Sequence, residues 1–143
     1  MLLEQILKVK GSNVTTIEAQ VSLRDAARLL DDKKIGSVVA THADGSLAGV
    51  LSERDITRQV ARHGPRALAM TVADAMTRDV ITANPCETIQ DGLSRMTDRR
   101  IRHLPIVRDG ALIGLVSIGD LVKWKIREAE AEAEAMKAYI ATG

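Results

Sequence analysis

The second half of this chain repeats its first half. Residues 14–41 align with residues 80–107 at an offset of 66, and the offset becomes 65 beyond the following turn. The matched pairs include Val14 with Val80, Asp25 with Asp91, Gly49 with Gly114, Ser52 with Ser117 and Asp55 with Asp120. One extra residue before the first turn explains the change, because turns tolerate insertions. The repeat predicts two copies of one supersecondary unit.

Each copy carries the pattern of an amphipathic helix. Apolar residues recur at helical spacing, and a Ser or Thr with an Asp three residues later precedes each run. These pairs are Ser22 with Asp25 and Thr88 with Asp91. They are typical of a capping box, with Asp in place of Glu. The pattern predicts helices over residues 22–34 and 88–100.

Two short apolar runs separated by Asp-Gly follow each helix. Asp44-Gly45 and Asp109-Gly110 therefore predict two β-hairpins. Pro105 has no N–H for a strand ladder, so we expect its strand to lie at a sheet edge or to begin at the proline. A further helix is predicted from Ser52 and from Ser117. With a lead-in strand before the first helix, each copy has the order βαββα.

The fold class follows from this order of elements. The chain has 143 residues, of which 45% are apolar and none is Phe, so an aliphatic core shared by both copies is expected. We predict an α+β fold in which two tandem βαββα repeats pack as one pseudo-twofold module with a long C-terminal helix. Repeat 1 with its lead-in is placed at 1–64, ending near Gly64-Pro65. Repeat 2 is placed at 65–126, with Val72 matching Ile6, and a helical tail at 127–143.

Charge and composition exclude several classes of function. The formal net charge is +1, with one Trp and one Tyr, so neither a basic field nor stacking aromatics favour nucleic acid or an anionic membrane. The first residues lack the pattern of a secretion signal, so we expect none, and no apolar run reaches the length of a bilayer span. We therefore expect a soluble, cytoplasmic protein without nucleic-acid or membrane partners.

The sequence also lacks the residue patterns of a catalytic site or a metal site. The histidines His42, His63 and His103 have no metal-ligand spacing, and no nucleophile–base pattern is present. The single cysteine, Cys86, excludes an internal disulfide. It follows Pro85 and could be reactive, although an inert surface thiol is the better interpretation. We expect no metal, no catalytic cofactor and no enzyme activity.

The C-terminal residues 119–141 are predicted to form one helix with an apolar seam. The seam residues are Val122, Ile126, Ala129, Ala133, Met136 and Ile140, and their alternating spacing is a heptad pattern. The seam is expected to lie on a partner subunit or along the chain's own module. We favour a homodimer.

The pattern Gly-x-x-Ser-x-x-Asp occurs once in each copy, at Gly49 to Asp55 and at Gly114 to Asp120. A strand glycine allows close approach of a ligand or of another backbone. The serine opens a helix whose free N–H groups attract phosphate, and a carboxylate can accept from two ribose hydroxyls. The same pattern is also a plain helix cap, so both interpretations stay open from the residues alone.

These motifs resemble those of the CBS-domain family in its paired form, often called a Bateman module. The resemblance covers about residues 3–126 and is strongest in the segments 33–38, 49–55, 99–105 and 114–120. The chain is similar to small stand-alone bacterial CBS pairs. The resemblance implies a regulatory module that binds an adenine nucleotide: AMP or NAD(H), with ATP, ADP and S-adenosylmethionine also known in the family. The downstream protein partner is unknown.

The resemblance also implies two ligand clefts between the repeats. In the family the Asp holds the ribose, the Ser or Thr lies near phosphate, and the lead-in backbone reads the adenine edge. One predicted site joins Thr15, Thr16, Ser52, Arg54 and Asp55 to Arg102, His103, Leu104 and Pro105. The other joins Ile81, Thr82, Ser117, Gly119 and Asp120 to Gly36, Ser37 and Val38. The first is richer in positive charge and is expected to hold phosphates better.

Two alternatives accompany this interpretation. The basic residues Lys33, Lys34, Arg99 and Arg100 could neutralise phosphates, but at helix C-termini they also complement the helix dipole. A purely structural dimerisation or docking module without a nucleotide is the second candidate function.

Overall fold

The structure is a computed structural model that describes residues 1–11 and 13–142. Helices and short strands alternate along this part of the chain, and the element order confirms the predicted mixed α+β class. The helices are α1 (Leu3–Lys10), α2 (Leu23–Lys33), α3 (Glu53–His63), α4 (Val72–Ala75), α5 (Ile89–Arg99) and α6 (Ile118–Thr142). The strands are β1 (Thr16–Glu18), β2 (Ser37–Thr41), β3 (Leu47–Ser52), β4 (His103–Arg108) and β5 (Ala111–Ser117).

The first copy folds as predicted, in the order β1, α2, β2, β3, α3. Its three-stranded sheet has the order β1-β2-β3, with β1 parallel to β2 and β2 antiparallel to β3. Gly45 in the connecting turn has a φ of 86°, a conformation that glycine adopts without a steric penalty. A 3₁₀ helix, Gly64–Ala69, follows α3 and contains the predicted breaker.

The second copy differs at its lead-in strand. The predicted strand at Ile81 and Thr82 is wrong: within the described residues this segment makes only one isolated parallel bridge, between Ala83 and Ile106. In the first copy, the N–H of Val39 donates to the carbonyl oxygen of Thr15 at 3.4 Å. Pro105 stands at the position equivalent to Val39 and has no N–H to donate. The proline therefore shortens the parallel ladder.

The predicted helix starts are confirmed. Ser22 and Thr88 are the N-caps of α2 and α5, and the hydroxyl oxygen of each accepts from the N–H of an Asp three residues later. At the other end, Lys34 and Arg100 adopt the left-handed conformation, with φ of 54° and 55°. This geometry closes a helix C-terminus, so the basic residues at these ends have a local structural role.

The compact units of the structure do not follow the chain order of the two copies. One unit contains Met1–Ser12, Thr82–Arg108 and Ile113–Gly143; the other contains Asn13–Ile81 and Asp109–Leu112. The helix α1 thus belongs with the second copy, and α4 belongs with the first. We call these units the α1 unit and the α4 unit.

Backbone hydrogen bonds show which residues of α1 and α4, the helices that precede the two repeats, are equivalent. In the α1 unit, the N–H of Leu3 donates to the carbonyl oxygen of Glu87 at 2.9 Å. In the α4 unit, the N–H of Val72 donates to the carbonyl oxygen of Val21 at 2.8 Å. Since Glu87 and Val21 are equivalent, Val72 corresponds to Leu3. The predicted match of Val72 with Ile6 is therefore wrong by one helical turn.

Each unit has an aliphatic core that includes its lead-in helix. In the α4 unit, Val72 and Ala75 pack with α2 and the sheet around Leu23, Val38 and Leu51. In the α1 unit, a methyl group added at Gly92 of α5 would lie within 4 Å of Leu3, Leu104 and Leu121. Residues of α1, β4 and α6 therefore pack around Gly92 of α5.

A charged pair in the α1 unit replaces an apolar pair of the α4 unit. The guanidinium of Arg95 donates to both carboxylate oxygens of Glu87, at 2.7 and 2.6 Å, and to the carbonyl oxygen of Thr82 at 3.0 Å. The equivalent residues of the first copy are Leu29 and Val21. The Arg95 hydrogen bond holds the pKa of Glu87 below its usual value.

We expect Arg95→Leu to lower the free energy of unfolding more than the double variant Arg95→Leu/Glu87→Val does. The single change leaves the carboxylate of Glu87 without its partner, whereas the double change removes both charges. Urea denaturation of wild type, both single variants and the double variant should give a coupling of about 1 kcal/mol. The pair's contribution should be complete above pH 4.5, the ordinary pKa of Glu, and decline as the pH falls below it. Additive effects of the two substitutions would contradict this prediction.

The tail is one continuous helix. α6 runs from Ile118 to Thr142 without a break at residue 126, close to the predicted range of 119–141. Its seam is exposed: Ile126, Met136 and Ile140 expose 53%, 61% and 71% of their surface. Among the residues that the structure describes, no helix combines the length and hydrophobicity needed to cross a bilayer.

Candidate functional site

The serine and aspartate of the first motif form a complete capping box at the start of α3. The Oγ of Ser52 accepts from the N–H of Asp55 at 3.2 Å, and the N–H of Ser52 donates to Oδ2 of Asp55 at 2.9 Å. Asp55 is buried, with 8% of its surface exposed. Its other oxygen, Oδ1, lies 3.4 Å from the guanidinium of Arg58. A carboxylate is therefore held in one orientation at a helix N-terminus.

The second motif repeats this arrangement at the start of α6. The Oγ of Ser117 accepts from the N–H of Asp120 at 3.1 Å, and the N–H of Ser117 donates to Oδ2 of Asp120 at 2.8 Å. The capping interpretation is correct for both motifs. It does not exclude ligand binding, because a carboxylate has more acceptor positions than one cap uses.

A lysine distinguishes the second motif from the first. The Nζ of Lys10, at the end of α1, lies 2.5 Å from Oδ2 of Asp120 and 2.8 Å from the carbonyl oxygen of Leu115. In the α4 unit, the equivalent carbonyl of Val50 accepts from the backbone N–H of Thr77. The difference arises because α1 has eight residues and α4 only four. The side chain of Lys10 thus takes the place of a backbone donor.

Lys10 was not predicted as a site residue. It lies outside both glycine motifs, and the alignment of the lead-ins that would expose it depends on backbone hydrogen bonds rather than on identity. One sequence signal is available. The last turn of α1 contains the basic residues Lys8 and Lys10, whereas the last turn of α4 contains none.

The surroundings of Asp120 shift two ionisation equilibria. Burial opposes ionisation of Asp120, but hydrogen bonds from Lys10 and Ser117 outweigh it and hold the pKa of Asp120 below its usual value. The pKa of His103 also lies below its usual value, because burial and the charge of Lys10 disfavour the imidazolium more than Asp120 favours it. The surroundings therefore favour the ionised carboxylate of Asp120 and the neutral imidazole of His103.

The strand glycines accommodate the protein's own chain. A Cβ atom at Gly49 would lie 2.5 Å from the carbonyl oxygen of Thr77 and 2.8 Å from Sδ of Met76. A Cβ atom at Gly114 would lie 2.5 Å from Cδ2 of Leu7. Of the two interpretations of these glycines, close approach of protein is the one that the structure supports.

The predicted site residues are distributed over both units. The α4 unit contains Thr15, Thr16, Gly36, Ser37, Val38, Ser52, Arg54, Asp55 and Ile81, and the α1 unit contains Thr82, Arg102, His103, Leu104, Pro105, Ser117, Gly119 and Asp120. Within the α4 unit, Ser37 pairs with Ser52 across the sheet. The grouping of these residues into two clefts between the repeats stays a prediction.

Several of these residues have defined local surroundings. Val38, Leu104 and Pro105 are buried, whereas Arg54, Arg102 and Gly119 are exposed. The backbone carbonyls of Gly36 and Arg102 accept from the first N–H of α3 and of α6, respectively. Ser37 is buried, and its Oγ has no hydrogen-bond partner among the described residues. Cys86 is a free, exposed thiol.

The duplicated capping motif and the βαββα order are those of a known family. The CBS domain profile matches residues 8–62 and again residues 72–127. The chain therefore belongs to the CBS-domain family and contains a CBS pair.

Relatives with this architecture occur among curated proteins and solved structures. The chain is 34% identical over 123 residues to the mitochondrial CBS domain-containing protein CBSX3 of Arabidopsis thaliana, covering 83% of this chain and 60% of that protein. The CBS-domain protein ATU1752 of Agrobacterium tumefaciens is 39% identical, with a TM-score of 0.82 and coverage of 85% and 91% of the two chains.

A second similar structure was solved with ligands. It is the CBS domain pair of protein MJ0100 in complex with 5′-methylthioadenosine and S-adenosyl-L-methionine. That chain is 25% identical, with a TM-score of 0.79 and coverage of 90% of this chain and 98% of MJ0100's. Ligands that contain adenosine are thus found in this fold.

Proposed function

We propose that this chain is a regulatory sensor module that binds an adenine nucleotide, AMP or NAD(H) with ATP and ADP as further candidates, through its two Ser-x-x-Asp motifs. The observation that carries the proposal is the duplicated carboxylate, Asp55 and Asp120, each oriented at a helix N-terminus. Such a carboxylate suits two ribose hydroxyls, and the adjacent helix end suits phosphate. The adenosine ligands of the MJ0100 structure support this choice of ligand class.

The first test is the effect of nucleotide on thermal stability. A ligand that binds only the folded state stabilises it by about 2.7 kcal/mol at a hundredfold excess over its dissociation constant. We expect AMP to raise the melting temperature of the wild type, and Asp55→Ala and Asp120→Ala each to reduce that rise. Melting and calorimetry with AMP, ATP and NAD are the measurements.

A matched control separates ligand contact from helix capping. Asp91 forms the same capping box with Thr88, at 3.0 and 3.1 Å, in a helix outside the two motifs. Asp91→Ala should lower the melting temperature and leave the nucleotide-induced rise intact. If none of the nucleotides shifts the wild-type melt at millimolar concentration, the sensing function is refuted and a structural docking module replaces it.

We further propose that the chain forms a homodimer through the exposed seam of α6. Lys125 and Glu132 flank the seam on one side, and Glu130 and Lys137 on the other. In a parallel helix pair, Lys125 faces Glu130 of the second copy and Glu132 faces its Lys137, so the flanking charges are complementary. Light scattering distinguishes this dimer from a 15.5 kDa monomer. The expected cytoplasmic location stays a prediction.

A further inference from the structure

The two units differ in the cation that pairs with the aspartate of the motif. Lys10 has two protein acceptors, the carboxylate of Asp120 and the carbonyl oxygen of Leu115. The hydrogen-bond partners of Asp55 in the described structure are Ser52 and Arg58, and no lysine takes part. The two aspartates of the repeat therefore present different surfaces to a ligand.

A ribose that places one hydroxyl on each oxygen of Asp120 competes with Lys10 at one of them. The lysine ammonium contacts Oδ2, the same oxygen that closes the capping box, so a hydroxyl that approaches Oδ2 displaces the ammonium or shares its acceptor. Separating a partly buried ion pair without a replacement partner leaves two charges poorly solvated, which is unfavourable. A nucleoside without phosphate supplies no replacement for the lysine.

A phosphorylated ligand does supply a replacement. A phosphate carries a charge near −2 and several strong acceptor oxygens, with which an ammonium forms a charge-assisted hydrogen bond. The side chain of Lys10 is 38% exposed, and its flexible four-carbon stem allows the ammonium to move.

We propose that Lys10 is a specificity-determining residue, which makes the Asp120 motif select adenosine ligands that carry a phosphate over unphosphorylated ones such as 5′-methylthioadenosine. This inference rests on the proposed nucleotide binding and goes beyond it by naming the ligand class at one of the two motifs. The Asp55 motif lacks the lysine, and its cation is Arg58 at the longer distance of 3.4 Å from Oδ1, so we expect a weaker selection there.

The test isolates the Asp120 motif by using Asp55→Ala as the parent protein. Calorimetry gives the dissociation constants of AMP and 5′-methylthioadenosine for this parent and for parents that also carry Lys10→Met or Lys10→Arg. We expect the parent to bind AMP at least about tenfold more tightly, the ratio that corresponds to about 1.4 kcal/mol. Lys10→Met should bring the ratio close to one, and Lys10→Arg should preserve the preference for AMP.

Lys8→Met is the matched control, because it removes a charge from the same helix at an exposed position with no contact to Asp120. It should leave the ratio of the two affinities unchanged. An unchanged ratio in Lys10→Met, or an equal loss of both ligands, would overturn the inference. If AMP, ATP and NAD all fail to bind the wild type, the proposed function itself fails, and that outcome is distinct. Circular dichroism establishes that each variant is folded, and Lys10→Gln replaces Lys10→Met if the latter is not.

Discussion

Removal of the chain after Ile126 is expected to halve the mass of the assembly. The deleted segment contains Ala129, Ala133, Met136 and Ile140 of the seam, and every residue from 129 to 142 is exposed. Its loss therefore costs the fold of its own chain little beyond the ion pair of Glu128 with the N-terminal amine of Met1, at 2.6 Å, while a partner helix loses most of its apolar contact. Light scattering at tens of micromolar should show a dimer for the full chain and a monomer for the truncated one.

A pair of single substitutions tests the seam without a deletion. Ala133→Glu places a charge in the seam, and Ala135→Glu places the same charge two residues further on, away from the seam. Only the first should dissociate the dimer, because burying an unpaired charge is costly. Nucleotide binding per folded chain should survive in both. A truncated protein that stays dimeric but no longer binds nucleotide would reverse the roles assigned to α6.

Gly49→Ala is expected to cause a large loss of stability. The new methyl group would lie 2.5 Å from the backbone oxygen of Thr77, and Thr77 is held by two backbone hydrogen bonds to Val50, at 3.0 and 2.9 Å. Backbone held in this way cannot move without breaking the pairing. Overpacking of a core costs about 1–3 kcal/mol, and we expect the upper end of that range.

Gly114→Ala is the matched comparison, because Gly114 is the equivalent residue of the second copy. Its methyl group would meet the two terminal carbons of Leu7, at 2.5 and 2.7 Å, and a leucine side chain can change its rotamer. Urea denaturation should therefore show a smaller loss for Gly114→Ala than for Gly49→Ala. Equal losses would mean that Leu7 is as immobile as the backbone of Thr77.

The regular elements were predictable because their signals are local. The helices α2 and α5 begin and end within one residue of the predicted ranges, since the capping residues Ser22 and Thr88 precede a strict apolar period. The Asp109-Gly110 turn has positive φ at both residues, 50° and 79°, as a two-residue hairpin requires. In these cases a few neighbouring residues contain all the information that the conformation needs.

The lead-in of the second copy was less predictable. Ile81 and Thr82 have the β-branched character of a strand, but a strand also needs a partner with free N–H groups. Pro105, more than twenty residues away in sequence, removes one of them. Strand formation depended here on a long-range pairing that local propensity does not report.

The sequence by itself determined that the chain contains two βαββα copies, each with a capped Ser-x-x-Asp motif, because identity and periodicity repeat at an offset of 66 that becomes 65 beyond the first turn. Only the tertiary structure decided that α1 packs with the second copy and α4 with the first. It also decided that the end of α1 brings Lys10 onto Asp120, 110 residues away in sequence. The physical reason is that a capping box is completed within four residues. The partner of a charged side chain depends instead on helix length and on the register between distant segments, which no local pattern encodes.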